Sequence, residues 1–85
     1  MSSPQPHIVL YITRQCGYCR QAKAFLRRHK LPFTEYDLTR NRRALADFQL
    51  GGGRGVPMIM VGQRRLDGFH PKRLSRILRE SGFDV

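Results

Sequence analysis

The sequence is short of cysteine, of acidic residues and of long apolar stretches, and each shortage removes a class of protein. Cys16 and Cys19 are its two cysteines, too few for a disulfide-stapled secreted scaffold. A structural zinc site needs four ligands, and there is no second cysteine pair. His7, His29 and His70 lack the paired spacing of a zinc finger, and Arg20 stands where a haem-attachment motif needs histidine after its second cysteine. No apolar run approaches the roughly 20 residues that span a bilayer, so no membrane partner is expected. Met1-Ser-Ser-Pro-Gln-Pro6 has neither the basic end nor the apolar stretch of a secretory signal. A cytoplasmic location is therefore expected, with the thiols reduced for much of the time.

The acidic shortage leaves a large imbalance. Sixteen Lys and Arg face six Asp and Glu, a net charge of +10. Such an excess suits nucleic acid, an acidic partner or small anions. The cations are scattered, however, from Arg20, Lys23, Arg27 and Arg28 to Lys72, Arg73, Arg76 and Arg79, as on the solvated faces of helices. Tyr18 and Phe69 are too few to build a base-stacking platform, so nucleic acid is not expected as a partner.

What is present reads as one small α/β domain. Ile8-Val-Leu-Tyr-Ile12 is a continuous apolar run, expected to be a strand buried on both faces. Cys19, Ala22, Phe25, Leu26 and His29 recur at helical spacing, predicting a helix over 17–30 that Leu31-Pro32 ends. Residues 33–38 alternate as a second strand, and 40–50 carry Ala44, Leu45 and Phe48 in helical phase. The run Gly51-Gly-Gly-Arg-Gly55 stops that helix. It precedes a strand and lacks a Gly-Lys-Ser/Thr ending, so it is not a phosphate loop. Met58–Val61, a Gly62-Gln63 turn and 64–66 predict a hairpin, with Met58 and Met60 expected as packing residues. Pro71 opens a last helix to Ser81, with Leu74, Ile77 and Leu78 inward. The order is β-α-β-α-β-β-α, with a domain over 7–82, a flexible tail at 1–6 and a short tail at 83–85.

On this map Cys16 sits at the mouth of the first helix and Cys19 about one turn further in. Helix N-termini offer unpaired N–H groups and the positive end of the macrodipole, so a thiol there ionises more readily than a free one. Cys16 is the candidate nucleophile. Cys19, one turn along, can attack a mixed disulfide on Cys16. Arg14 and Arg20 add positive potential. A disulfide closing so small a loop is a poor staple, which leaves an incidental pair of buried thiols as the bland alternative to a redox pair.

Gly55-Val-Pro57, set before the apolar strand 58–61, supplies the context. With Cys16-Gly-Tyr-Cys19, Val56-Pro57 and Gly68 in this order, the chain resembles the glutaredoxin branch of the thioredoxin superfamily from His7 to Ser81. The resemblance implies a thioredoxin-like fold with a mixed central sheet flanked by helices, and a dithiol oxidoreductase. Cys16 would attack and Cys19 resolve. Tyr18 would wall the substrate groove, Pro57 would be cis, and Val56 would pair its backbone with the substrate as an added strand. Arg54 is placed to meet a glutathione carboxylate. His29 is expected to pack, and His70 to play a local part at a helix start, with a place near the groove as the alternative.

The chain also departs from the family pattern. Gly17 stands in place of the usual proline, Thr13 in place of a basic residue, and Gly55 in place of a threonine. Family members with glycine at the first of these places include carriers of a [2Fe–2S] cluster held with glutathione, for which Cys16 would be the ligand. Gly68-Phe-His-Pro71 is similar to the glutaredoxin-like redoxins that supply ribonucleotide reductase and are recycled by thioredoxin reductase. Tyr18 points instead to glutathione. Disulfide-bonded or glutathionylated proteins are the expected substrates, a monomer the expected form, and glutathione or thioredoxin reductase the electron source.

Overall fold

The computed structural model describes residues 5–85; the first part of the expected N-terminal tail, residues 1–4, lies outside the described residues. Seven elements follow in the expected order: β1 (Ile8–Ile12), α1 (Gly17–Arg28), β2 (Thr34–Asp37), α2 (Arg42–Leu50), β3 (Met58–Val61), β4 (Arg64–Asp67) and α3 (Pro71–Glu80). The strands form one mixed sheet in the order β2-β1-β3-β4. β1 runs parallel to β2, pairing Val9 with Thr34, and antiparallel to β3, pairing Leu10 with Ile59. β3 and β4 make the expected hairpin, with Ile59 opposite Leu66. This is a thioredoxin-like fold.

The sheet divides the apolar residues between two faces. Ile8, Leu10 and Ile12 meet Cys19, Ala22 and Leu26 of α1 and Leu74 and Leu78 of α3 on one side. Tyr11 and Tyr36 lie on the other, with Met58, Ala44 and Phe48. The alternating burial along β1 follows from this arrangement. Its inner face is sealed by two helices, and its outer face is covered by the single, shorter α2. Complete burial of Leu10, Leu26, Ile59, Leu74 and Leu78 stabilises the fold by about 1.5–3 kcal/mol for each side chain.

Capping explains where the helices differ from expectation. α2 starts at Arg42 rather than 40, because Asn41 is its N-cap and accepts the Ala44 amide at 2.9 Å. α1 stops at Arg28, two residues early. Lys30 turns left-handed, with φ 55°, and the Leu31 amide reaches back to the Leu26 carbonyl at 2.9 Å.

Residues near both ends of the described chain lie against the body. Gln5 donates to the Gly82 carbonyl at 3.0 Å. Phe83, placed in a C-terminal tail by the sequence, is buried in the core with Val85 packed against it. A lone phenylalanine after Gly82 carries no periodicity to announce that burial. Among the described residues, no helix is long and apolar enough to cross a membrane.

Candidate functional site

The site begins where β1 hands over to α1. Cys16 has extended backbone geometry, and its Sγ accepts the Cys19 amide at 3.1 Å, so a sulfur takes the part that serine or aspartate usually plays at a helix start. The Arg20 amide closes the first turn on the Cys16 carbonyl at 3.2 Å. α1 has no acidic residue in its first turn, so nothing opposes the positive end of its dipole there. Cys16 is half-buried, whereas Cys19 is only 2% exposed and packs beneath the helix in the main core. The two are joined as a disulfide, with Cα atoms 5.2 Å apart.

A second set of backbone features stands at the start of β3. The Val56–Pro57 peptide bond is cis, as the resemblance implied. Pro57 is buried, and its carbonyl accepts the Gly68 amide at 2.8 Å. Gly68, at φ 82°, turns the chain from β4 toward α3. Val56, Pro57, Gly68 and Phe69 join Tyr18 in lining one cleft of about 330 Å³. Tyr18 is 65% exposed at its edge.

His70 lines the same cleft, the alternative that its position left open beside a local part at a helix start. It is the residue preceding α3, with no side-chain cap bond, and its ring lies over Gly68, where an added Cβ would meet Nε2 at 3.2 Å. The proline at the first position of α3 was the available signal, since it fixes the preceding residue as the cap. Arg14 and Arg54 are exposed loop residues and are not among those lining the cleft. His29 stacks on Phe25 with ring centroids 4.5 Å apart, as a packing residue does.

Chemically, the arrangement provides a half-buried sulfur beside helix amides, a fully buried second sulfur behind it, and an apolar cleft with polar backbone at its edge. Among the described residues no three His, Cys, Asp or Glu side chains converge to hold a metal ion. A [2Fe–2S] cluster would find Cys16 as the more accessible thiol on this chain, with Cys19 turned into the core.

Comparison with known proteins agrees with the geometry. Among solved structures, the thioredoxin-like protein BC3987 superposes with a TM-score of 0.79 at 21% identity, covering 84% of this chain and 99% of that one. The glutaredoxin-like protein NrdH-redoxin from Escherichia coli gives 0.75 at 22% identity, covering 84% and 93%. Both likenesses establish the fold. A curated relative, the global transcriptional regulator Spx of Streptococcus pneumoniae, is 45% identical over 31 residues, a match spanning 36% of this chain and only 23% of that regulator. The glutaredoxin family model matches residues 8–66, a stretch that holds both cysteines and the cis-proline turn, and so the chain belongs to the glutaredoxin family.

Proposed function

We infer that the protein is a dithiol reductase of protein disulfides, acting through a mixed disulfide on Cys16. The observation that carries this reading is the contrast between the two sulfurs. Cys16 is half-buried and its Sγ accepts a helix amide, whereas Cys19 is buried one turn behind it. In the reduced protein the Cys16 thiolate attacks one sulfur of a substrate disulfide, forming the mixed disulfide and expelling the other sulfur as a thiolate. The Cys19 thiolate then attacks Cys16 Sγ, releasing the second substrate thiolate. Two electrons pass to the substrate, and Cys16–Cys19 is left as a disulfide. A glutathionylated protein enters the same route, with its protein sulfur or its glutathione as the leaving group.

The cleft supports the binding half of the reading. An extended substrate segment beside Val56-Pro57 pairs its backbone with Val56, as an added strand does, while Tyr18 and Phe69 flank its side chains. Backbone pairing gives affinity without demanding a sequence, which suits an enzyme with varied clients.

For the electron source, Phe69 and Pro71 favour a flavoprotein of the thioredoxin reductase type over glutathione. Pro71 is the first residue of α3 and has no N–H with which to hold a carboxylate. Phe69 stands where the glutathione-using relatives that the chain resembles commonly carry a small residue. The E. coli redoxin of the same fold is described as having a thioredoxin-like activity profile.

The test is a coupled assay with NADPH and either thioredoxin reductase or glutathione plus glutathione reductase, on a disulfide-bonded protein substrate. Cys16→Ser should abolish turnover with both. Cys19→Ser should keep reduction of glutathionylated substrates in the glutathione-coupled assay, where a second glutathione thiolate attacks the Cys16–glutathione disulfide and leaves as glutathione disulfide, and should lose the dithiol reaction. Unchanged reduction by Cys16→Ser would end the proposal.

A further inference from the structure

The cleft beside Pro57 does not stand alone. Phe69 forms part of its wall and also part of a second depression of about 370 Å³, whose floor includes Phe25, Ala24 and Arg28 of α1. The Phe25 and Phe69 rings meet edge to face there, centroids 5.8 Å apart. Pro71 closes that second depression and opens a third of about 390 Å³, which runs along α3 past Lys72, Arg76 and Arg79. The three adjoin through shared residues as one strip. It is apolar near the cleft and basic at the far end.

Its charge is one-sided. Arg28, Lys72, Arg76 and Arg79 line the strip, and none of the six acidic residues does. The acidic side chains that form ion pairs among the described residues engage Lys23, Arg64 and Arg65, and none of them pairs with the four cations of the strip. Arg79 donates to the Val85 main-chain oxygen at 3.5 Å, and Arg76 and Arg79 lie near enough to Glu80 to favour its charged form, although Glu80 pairs with Arg64. Lys72, Arg76 and Arg79 recur at helical spacing of three and four, which puts them on one face of α3. These cations adjoin the candidate active cleft.

We propose that this strip docks an acidic polypeptide segment of the redox partner, seating an apolar side chain over Phe25 and Phe69 and carboxylates along Lys72, Arg76 and Arg79. The proposal rests on the disulfide-reductase reading above and extends it to partner choice. From Lys72 to Arg79 the helix rises about 10 Å, the reach of about three extended residues. The partner chemistry is therefore an extended segment with an apolar anchor nearest the cystine and a short acidic run beyond it. Single-sign patches of this kind act mostly on encounter and selection, and weaken as salt rises.

The test uses the full chain and two fluorescein-labelled, cysteine-free peptides of about ten residues, long enough to cross the strip. One carries a phenylalanine followed by a run of glutamates, and its counterpart has glutamines. Fluorescence anisotropy at low salt should show the acidic peptide binding about tenfold more tightly, the sum of a few exposed ion pairs. The preference should vanish in Lys72→Gln/Arg76→Gln/Arg79→Gln. It should survive in Arg40→Gln/Arg42→Gln/Arg43→Gln, which removes equal charge around the start of α2. Equal binding of the two peptides, or equal loss in both variants, overturns the proposal. So does a single-stranded oligonucleotide that binds more tightly than the acidic peptide and loses its binding with the α3 variant. A parallel turnover assay separates the two claims. Peptide preference with no reduction of any disulfide leaves the strip standing and removes the reductase, and reduction without preference does the reverse.

Discussion

The Gly68 amide donates a 2.8 Å hydrogen bond to the Pro57 carbonyl, fastening the end of β4 to the turn that enters β3. Both residues line the cleft, so this one bond sets the spacing of its floor. Gly68 also holds φ at 82°, and a Cβ there would press on the His70 ring. Gly68→Ala should destabilise the protein by about 1–2 kcal/mol, with a Tm loss on the order of 5–10 °C. Turnover of protein disulfides should fall further than that stability loss explains, because the cleft floor shifts. Calorimetry and turnover on one preparation check both parts.

The glycine run before β3 gives a paired prediction. A Cβ on Gly53 would lie 2.6 Å from ring atoms of Phe48, whereas one on Gly55 would meet nothing within 4 Å. Phe48 is only 6% exposed, so its ring has no open space into which to swing. Gly53→Ala should cost about 1–3 kcal/mol as an overpacked core does. Gly55→Ala should be neutral, or stabilising by up to about 1 kcal/mol through the unfolded chain. Urea melts of the two variants decide it.

These glycines also show what the sequence can and cannot convey. Element order was legible because periodicity is local, as in Ile8–Ile12 and in Cys19, Ala22 and Leu26, and β3 begins and ends where its apolar run does. The caps were legible in principle, since Asn41 is a strong N-cap residue, but the periodic pattern alone placed the helix start two residues early. The cleft was legible in part. Tyr18, Val56, Pro57, Gly68 and Phe69, each named from the sequence, line one cleft. His70 was placed there only as an alternative, and Arg14 and Arg54 were placed there outright, because where a loop side chain goes depends on tertiary contacts that no spacing rule encodes. The burial of Phe83 and the packing of Gly53 on Phe48 are long-range facts of the same kind.

Unequal exposure of the two sulfurs predicts unequal chemistry. In the reduced protein, iodoacetamide at limiting concentration should modify Cys16 almost alone, with Cys19 shielded at 2% exposure. The pH midpoint of that reaction should fall well below the free-thiol value of about 8.5, because helix amides hold the thiolate. Peptide mapping by mass spectrometry across a pH series measures site and midpoint together. A midpoint at or above the free-thiol value would remove the physical basis of the proposed mechanism.

On the opposite face of the sheet, Tyr11 governs the alkaline limit. Burial raises its pKa above the ordinary 10.0, and the nearby Asp47 and Tyr36 push it the same way. The neutral phenol is thus the form that the fold favours. The stability from this group is complete below 10.0, where unfolded tyrosine is also neutral, and is lost as pH rises toward and through the folded pKa. Tyr11→Phe keeps the ring against Phe48 and Tyr36, whose centroids lie 5.6 and 5.7 Å away. It should lower the slope of Tm against pH above that value and leave the neutral-pH slope unchanged. Thermal melts on both sides of the transition provide the comparison.

The choice of reductant turns on a backbone hydrogen at the head of α3. Pro71 removes it, while the other first-turn amides of that helix remain. If the missing donor is what disfavours glutathione, Pro71→Ser should restore it, and a hydrogen bond to a charged carboxylate is worth enough to raise glutathione-coupled turnover by up to about tenfold. The thioredoxin-reductase-coupled rate should change far less, since a protein reductase does not need that amide. Because proline at this place favours the helix, a slightly lower Tm is expected alongside. Should both coupled rates stay at their wild-type values, the Phe69 ring rather than the absent donor bars glutathione, and Phe69→Ala would then be the substitution that opens the site.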